Sequence, residues 1–105
     1  MERSIFDIQA EFCKAMGNAT RLQIVHIPRE QPMTVTELMG DLSFSQSAVS
    51  RHLSVLRSVG VVTAERRGSE KVYQLTDQKV GEVCDLVQKV LLEQTQRQTD
   101  ALSDL

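Results

Sequence analysis

The sequence predicts a mainly α-helical chain interrupted by one β-hairpin, in the order helix, helix, helix, helix, strand, strand, helix. Three observations predict it. Apolar residues recur at steps of three to four in several separate stretches, which is the step that lines one face of an α-helix. Capping residues, glycines and prolines stand at the borders of those stretches. In the second half, two short runs containing Val, Thr and Tyr flank Arg67-Gly68-Ser69-Glu70, a turn-forming sequence.

Each element follows from its residues. From Ser4 to Met16, Ile5, Ile8, Phe12 and Met16 draw one helical stripe, and Gly17 closes it. Asn18 can cap a second helix carrying Leu22, Val25 and Ile27, which Pro28 and Pro32 end. Thr34 or Thr36 can cap a third, with Val35, Leu38, Met39 and Leu42, before the short turn Ser43-Phe44. Ser45 caps the fourth. There Val49, Leu53, Leu56 and Gly60 fall on one side, while Ser47, Ser50, Arg51, Ser54 and Arg57 fall on the other. Gly60 suits a helix end, Val61 to Arg66 reads as a strand, and Lys71 to Leu75 is its partner. Asp77 can cap a last long helix with Val80, Val83, Cys84, Val87 and Leu91 on one stripe, followed by a polar tail from Gln94 to Leu105.

The chain has 105 residues, enough for a single domain (1–105) with one modest core. Its 41% apolar and 25% charged residues are those of a soluble globular protein, but three Phe, one Tyr and no Trp make a thin core. Part of the apolar surface can therefore be buried against a second copy. No stretch approaches the ~18 apolar residues of a membrane span, and Met1-Glu2-Arg3-Ser4 lacks the layout of a signal peptide, so the expected location is cytoplasmic with no membrane partner. The net charge of −2 is distributed unevenly. Residues 1–44 carry four basic and six acidic side chains, residues 45–75 five and two, and residues 76–105 three and six. A basic middle on an acidic body suits selective attachment to a phosphate backbone.

Two short helices joined by a tight turn and followed by a β-hairpin form a winged helix-turn-helix. A helix entering the major groove of double-stranded DNA needs short polar groups near its start, so that the backbone can approach, and a few long donors that reach base edges. Gln46, Ser47, Ser50 and Arg51 are that set. Gln pairs bidentately with adenine and Arg with guanine, and each good pair is worth roughly 1 to 3 kcal/mol of discrimination. Arg66, Arg67 and Lys71 at the wing would meet phosphate or the flanking minor groove. His52 is a further candidate DNA contact, although it flanks the packing face, where a structural hydrogen bond competes with a base contact. The chain has no Gly-rich phosphate loop, no metal-ligand cluster and no Ser-His-Asp arrangement at a nucleophile turn, so an enzyme is not expected and no cofactor is called for. A winged helix that binds protein instead of DNA is the competing class. It has little need of an Arg-bearing reading helix beside a basic wing.

From about Phe12 to Leu91 the chain resembles the ArsR/SmtB family of winged-helix repressors. The resemblance is densest in Lys14-Ala15-Met16-Gly17-Asn18-Ala19-Thr20-Arg21-Leu22, in Glu37-Leu38-Met39-Gly40-Asp41-Leu42, and in Ser45-Gln46-Ser47-Ala48-Val49-Ser50-Arg51-His52-Leu53. It implies a homodimer, built largely from the first and last helices, that represses an inverted-repeat operator until an inducer distorts the pair of reading helices. The family's metal sites are not matched. Where its arsenic and cadmium sensors carry a Cys-x-Cys-type motif in the third helix, this chain has Met39-Gly40, and where other members place Asp and His ligands in the last helix, this chain has no His from Asp77 onward.

Cys13 in the first helix and Cys84 in the last are the remaining sensing candidates. A free Cys is often just a small buried hydrophobe. The alternative is a dithiol switch, within one chain or across the dimer, in which reactive sulfur or another oxidant joins the two by a disulfide or polysulfide link. A thiophilic inducer such as trivalent arsenic or antimony is the rival. If it takes three thiolates, as the resemblance suggests, the pair leaves it one ligand short. A persulfide-responsive branch of the family uses one Cys in the second helix and one in the last. Cys84 loosely matches the latter, but this chain has His26 at the former.

Overall fold

The computed structural model describes residues 2–29 and 31–103. Its helices are α1 (Ile5–Met16), α2 (Ala19–His26), α3 (Val35–Asp41), α4 (Gln46–Ser58) and α5 (Gln78–Ser103). The strands are β1 (Met33–Thr34), β2 (Val62–Arg67) and β3 (Glu70–Leu75), and one 3₁₀ turn at Ile27–Arg29 follows α2.

The caps form where short polar residues precede apolar runs. Ser4 Oγ accepts from the Asp7 N–H at 3.1 Å while Asp7 accepts from the Ser4 N–H at 3.1 Å, a reciprocal pair that satisfies two otherwise orphaned donors. Thr34, not Thr36, caps α3, and Glu37 completes the same kind of box at 3.1 and 3.0 Å. Asn18 Oδ1 accepts from the Arg21 N–H at 3.1 Å to start α2. Asp77 Oδ1 accepts from the Lys79 N–H at 2.9 Å at the head of α5.

The predicted hairpin is present and belongs to a larger sheet. β2 and β3 pair antiparallel from Val62–Leu75 to Arg67–Glu70, leaving only Gly68 and Ser69 in the turn. Gly68 has φ +65°, the left-handed conformation that a tight hairpin turn asks of its first central residue. β1 then pairs with the other side of β3, giving the order β1-β3-β2. Two residues are too short a run to announce a strand, so the sequence pattern showed two strands where the described residues form three.

The core lies where α2, α3, α4 and the start of the sheet meet. Ile24, Val25, Leu38, Val49, Leu53, Leu56, Val61 and Val62 are all completely or almost completely buried. Gly60 does not share that packing face as the helical pattern suggested. It is exposed and left-handed, with φ +79°, just beyond the end of α4. Its N–H donates to Arg57 O at 3.1 Å and the Val61 N–H donates to Leu56 O at 2.9 Å, so Gly60 turns the chain from α4 into the sheet.

The end of the chain also differs from expectation. The polar tail from Gln94 continues α5 as helix through Ser103, while Asp104 and Leu105 lie outside the described residues. At ~1.5 Å per residue α5 is about 39 Å long. Much of its apolar stripe is uncovered: Val83, Leu86, Val87, Val90 and Leu91 are each about half exposed or more. On α1, Ile5, Phe6 and Ile8 are likewise exposed.

Candidate nucleic-acid interface

α4 is built to hold one face against the core and offer the other. Ser45 Oγ accepts from the Ala48 N–H at 3.2 Å, which fixes the first turn and sets Gln46 and Ser47 at the helix start. Val49, Leu53 and Leu56 anchor the opposite side with no exposed surface. Gln46, Ser47, Arg51, Ser54 and Arg57 are exposed and Ser50 is half-buried. Ser47 is not wholly free, because its hydroxyl lies 3.2 Å from the hydroxyl of Ser45.

In the wing the register decides which cations meet. Arg66 lies directly across from Lys71, and Arg67 directly across from Glu70. Like charges opposite one another weaken a strand pair unless an anion comes between them. Arg67 is balanced by Glu65, with Nη2 3.7 Å from the carboxylate and both side chains exposed. Among the described residues, Arg51, Arg57, Arg66 and Lys71 have no acidic partner within 4.0 Å.

His52 is placed differently from the other candidates. Its Nδ1 accepts a hydrogen bond from Arg21 Nε at 3.2 Å, and the ring is half-buried. Burial first, then the charges of Arg21 and Arg51, hold its pKa below the usual 6.5. The ring is therefore neutral at neutral pH.

Cys13 and Cys84 line the same cleft. Both are free thiols lining an apolar cleft of about 320 Å³ between α1, α2 and α5, whose walls include Phe12, Leu22, Val87 and Leu91. Cys13 is exposed and Cys84 half-buried. Burial pushes the Cys84 thiol above its usual range, as does the Asp85 carboxylate, with Arg29 pulling the other way. Among the described residues, no three His, Cys, Asp or Glu side chains group as metal ligands would.

Two contacts had little or no sequence signal. Arg29 Nη1 donates to Asp85 Oδ1 at 2.8 Å across the face of Gly81, where a Cβ would stand 2.5 Å from Arg29 Nε. A glycine inside a helical stripe was the visible hint of that close approach. The Arg21 link to His52 spans 31 positions and carries no local pattern at all.

Residues 18–64 match the model of the family described as "Bacterial regulatory protein, arsR family". The chain is 38% identical over 81 residues to the HTH-type transcriptional repressor SmtB of Mycobacterium tuberculosis, spanning 77% of this chain and 60% of that relative. It is 30% identical over 102 residues to the HTH-type transcriptional regulator Rv0081 of the same species, covering 96% of this chain and 90% of that one. The crystal structure of Rv0081 superposes with a TM-score of 0.82 at 28% identity, over 93% of this chain and 99% of that one. A solution structure from Mycobacterium bovis, described as the homodimeric winged helix-turn-helix DNA-binding domain of Mb0332, superposes with a TM-score of 0.80 at 28% identity, over 89% and 86% of the two chains. With 30% identity to Rv0081 over nearly the whole of both chains and the fold superposing on its crystal structure, this chain belongs to the arsR family of bacterial regulatory proteins.

Proposed function

We propose that this chain is a DNA-binding transcriptional repressor that works as a homodimer on an inverted-repeat operator. Gln46, Ser47, Ser50 and Arg51 read base edges in the major groove, with His52 beside them, while Arg66, Arg67 and Lys71 of the wing hold phosphate or the flanking minor groove. The observation that carries this reading is the wing's Arg66 and Lys71, set face to face without an acidic partner among the described residues. That arrangement costs stability in the free chain and is relieved when a phosphate sits between the two cations. The exposed polar face of α4 supports the same reading. So does the likeness to SmtB, a transcriptional repressor, and to Mb0332, a homodimeric DNA-binding domain.

A salt titration tests it. Duplexes enriched from a random pool by the wild-type chain should bind with a log affinity that falls linearly with log salt, by about 0.9 per phosphate contacted. Failure to bind any duplex at low salt would sink the proposal.

Regulation in this reading comes from the Cys13 and Cys84 pair. Two thiols give up two protons and two electrons to an oxidant, either a low-molecular-weight disulfide that leaves as two thiols or a polysulfide whose inner sulfur atoms stay in the bridge while its terminal sulfurs leave as hydrogen sulfide. Their shared cleft supports this, and the exposed Cys13 is the better-placed attacking group. The link would tighten α1 against α5 and so change the spacing of the two reading helices. Treatment with oxidised glutathione or polysulfide should lower operator affinity by about tenfold, within the usual range of an allosteric coupling, in the wild type only. Cys13→Ser and Cys84→Ser should not respond. Unchanged wild-type affinity after both treatments would make the cysteines structural.

A further inference from the structure

One guanidinium joins three elements. Arg21, in the first turns of α2, donates from Nη1 to the carbonyl of Ala15 at 3.1 Å and from Nε to His52 Nδ1 at 3.2 Å, while its own N–H is held by Asn18 at 3.1 Å. Ala15 belongs to the last turn of α1, where carbonyls lack helical partners and a cation is favoured. His52 stands in the middle of α4. The ring nitrogen that accepts from a guanidinium must carry a lone pair, so the imidazole proton is on Nε2.

From this geometry we propose that Arg21 and His52 form a positioning pair: they key the rotation of α4 to the α1–α2 corner, and His52 acts on DNA reading through Arg21 and not by touching a base. The inference rests on the DNA-reading proposal for its functional half. The tie itself is a property of the free chain.

The charges around the ring support this assignment. Arg21 from α2 and Arg51 on α4 both disfavour a protonated imidazole, and a protonated ring could not accept from Arg21. Among the described residues, α1 enters the hydrogen-bond network through the neutral carbonyl of Ala15. The tie connects a helix with an exposed apolar face to the helix whose exposed side carries the candidate base contacts. It is thus a rigid route from a partner's position to the reading head.

Side-chain reach separates positioning from contact. The Oδ1 of an asparagine stands where Nδ1 of histidine stands, whereas the amide of a glutamine reaches only to the position of Nε2. His52→Asn therefore keeps an acceptor for Arg21 and loses the outer donor, while His52→Gln does the reverse. The test uses the full chain, a duplex selected from a random pool by the wild type, and a random duplex of the same length. Long-range proton–nitrogen spectra of His52 should show the proton on Nε2 in the wild type, and mixed tautomers with protonation at higher pH in Arg21→Gln.

Arg21→Gln and His52→Gln should each lower the ratio of selected to random affinity about tenfold, the size of one charge-assisted hydrogen bond, and the double variant should lose no more than either alone. His52→Asn should stay within about twofold of the wild type. All ratios are read well below each variant's melting temperature, so loss of fold cannot produce them. A proton on Nδ1 in the wild type overturns the tie. Greater damage from His52→Asn than from His52→Gln overturns positioning in favour of direct contact, and equal damage from the two overturns positioning in favour of packing alone. If no duplex is enriched by the wild type, the DNA-reading proposal itself fails. If duplexes are enriched and Arg21→Gln and His52→Gln discriminate as the wild type does, only the pair's role fails.

Discussion

Arg51 and Arg67 are both exposed arginines of the basic middle segment, yet their surroundings suit them to different work. Arg51 sits on α4 without an acidic partner among the described residues, about one and a half turns from the capped start that would enter a groove. Arg67 lies at the wing tip with Glu65 at 3.7 Å, a loose exposed pair that a phosphate can replace. Arg51→Ala should lower affinity for the selected duplex and relax base preference at one position. Arg67→Ala should weaken all duplexes alike and reduce the salt slope by about one contact. Competition binding against selected and random DNA separates the two, and identical profiles would contradict the assignment. The exposed acids give a pH prediction of definite sign. The hydrogen bond from Arg29 holds the Asp85 carboxyl below its usual 3.8, and the Lys79 N–H does the same for Asp77. Their contribution is present above the unfolded value and is lost as pH falls through the folded one. The melting temperature should drop on acidification below about pH 4, less steeply in Asp85→Asn. A drop equally steep in that variant would remove Asp85 from the account.

At the scale of the element, α4 depends on both its ends. Ser45 satisfies the first-turn donor at Ala48, and Gly60 takes the left-handed turn that releases the chain into β2. Ser45→Ala should cost about 1 kcal/mol of stability. Gly60→Ala forces a Cβ into a positive φ and should cost about 1 to 2 kcal/mol, although there is open space around it. Urea unfolding measures both. A neutral Gly60→Ala would mean that the chain leaves α4 by another route. The capping signals at Asn18, at Thr34 or Thr36, at Ser45 and at Asp77 are local in sequence, which is why those helix starts were legible, whereas Ser4 was read only as the start of the helix it caps. β1 was not, because its two residues become a strand only by pairing with Tyr73 and Val72 far along the chain.

At the scale of the whole molecule, two helices leave apolar surface uncovered. Ile5, Phe6 and Ile8 on α1 and Val83, Leu86, Val87, Val90 and Leu91 on α5 are more than a lone small domain leaves in water. In the proposed dimer a second copy covers them and sets the two reading helices about one DNA turn, roughly 34 to 36 Å, apart. Val87→Glu or Leu91→Glu should leave the fold of residues around the buried core intact, give a monomer by sedimentation, and weaken binding to an inverted repeat far more than to a half-site. A monomeric wild type, or a dimer unaffected by both changes, would direct attention to another face.

By itself the sequence determined the elements and the split of α4 into a packing side and a polar side, because caps, periodicity and turn residues act within a few positions of one another. It also determined that the positive charge is gathered between Ser45 and Leu75. Only the tertiary structure decided which distant groups meet, β1 with β3, Arg29 over Gly81 with Asp85, and Arg21 with His52, and that Cys13 and Cys84 line one cleft. These arrangements join side chains or backbones tens of positions apart. Their geometry is set by how the helices pack, for which a single sequence carries no local mark.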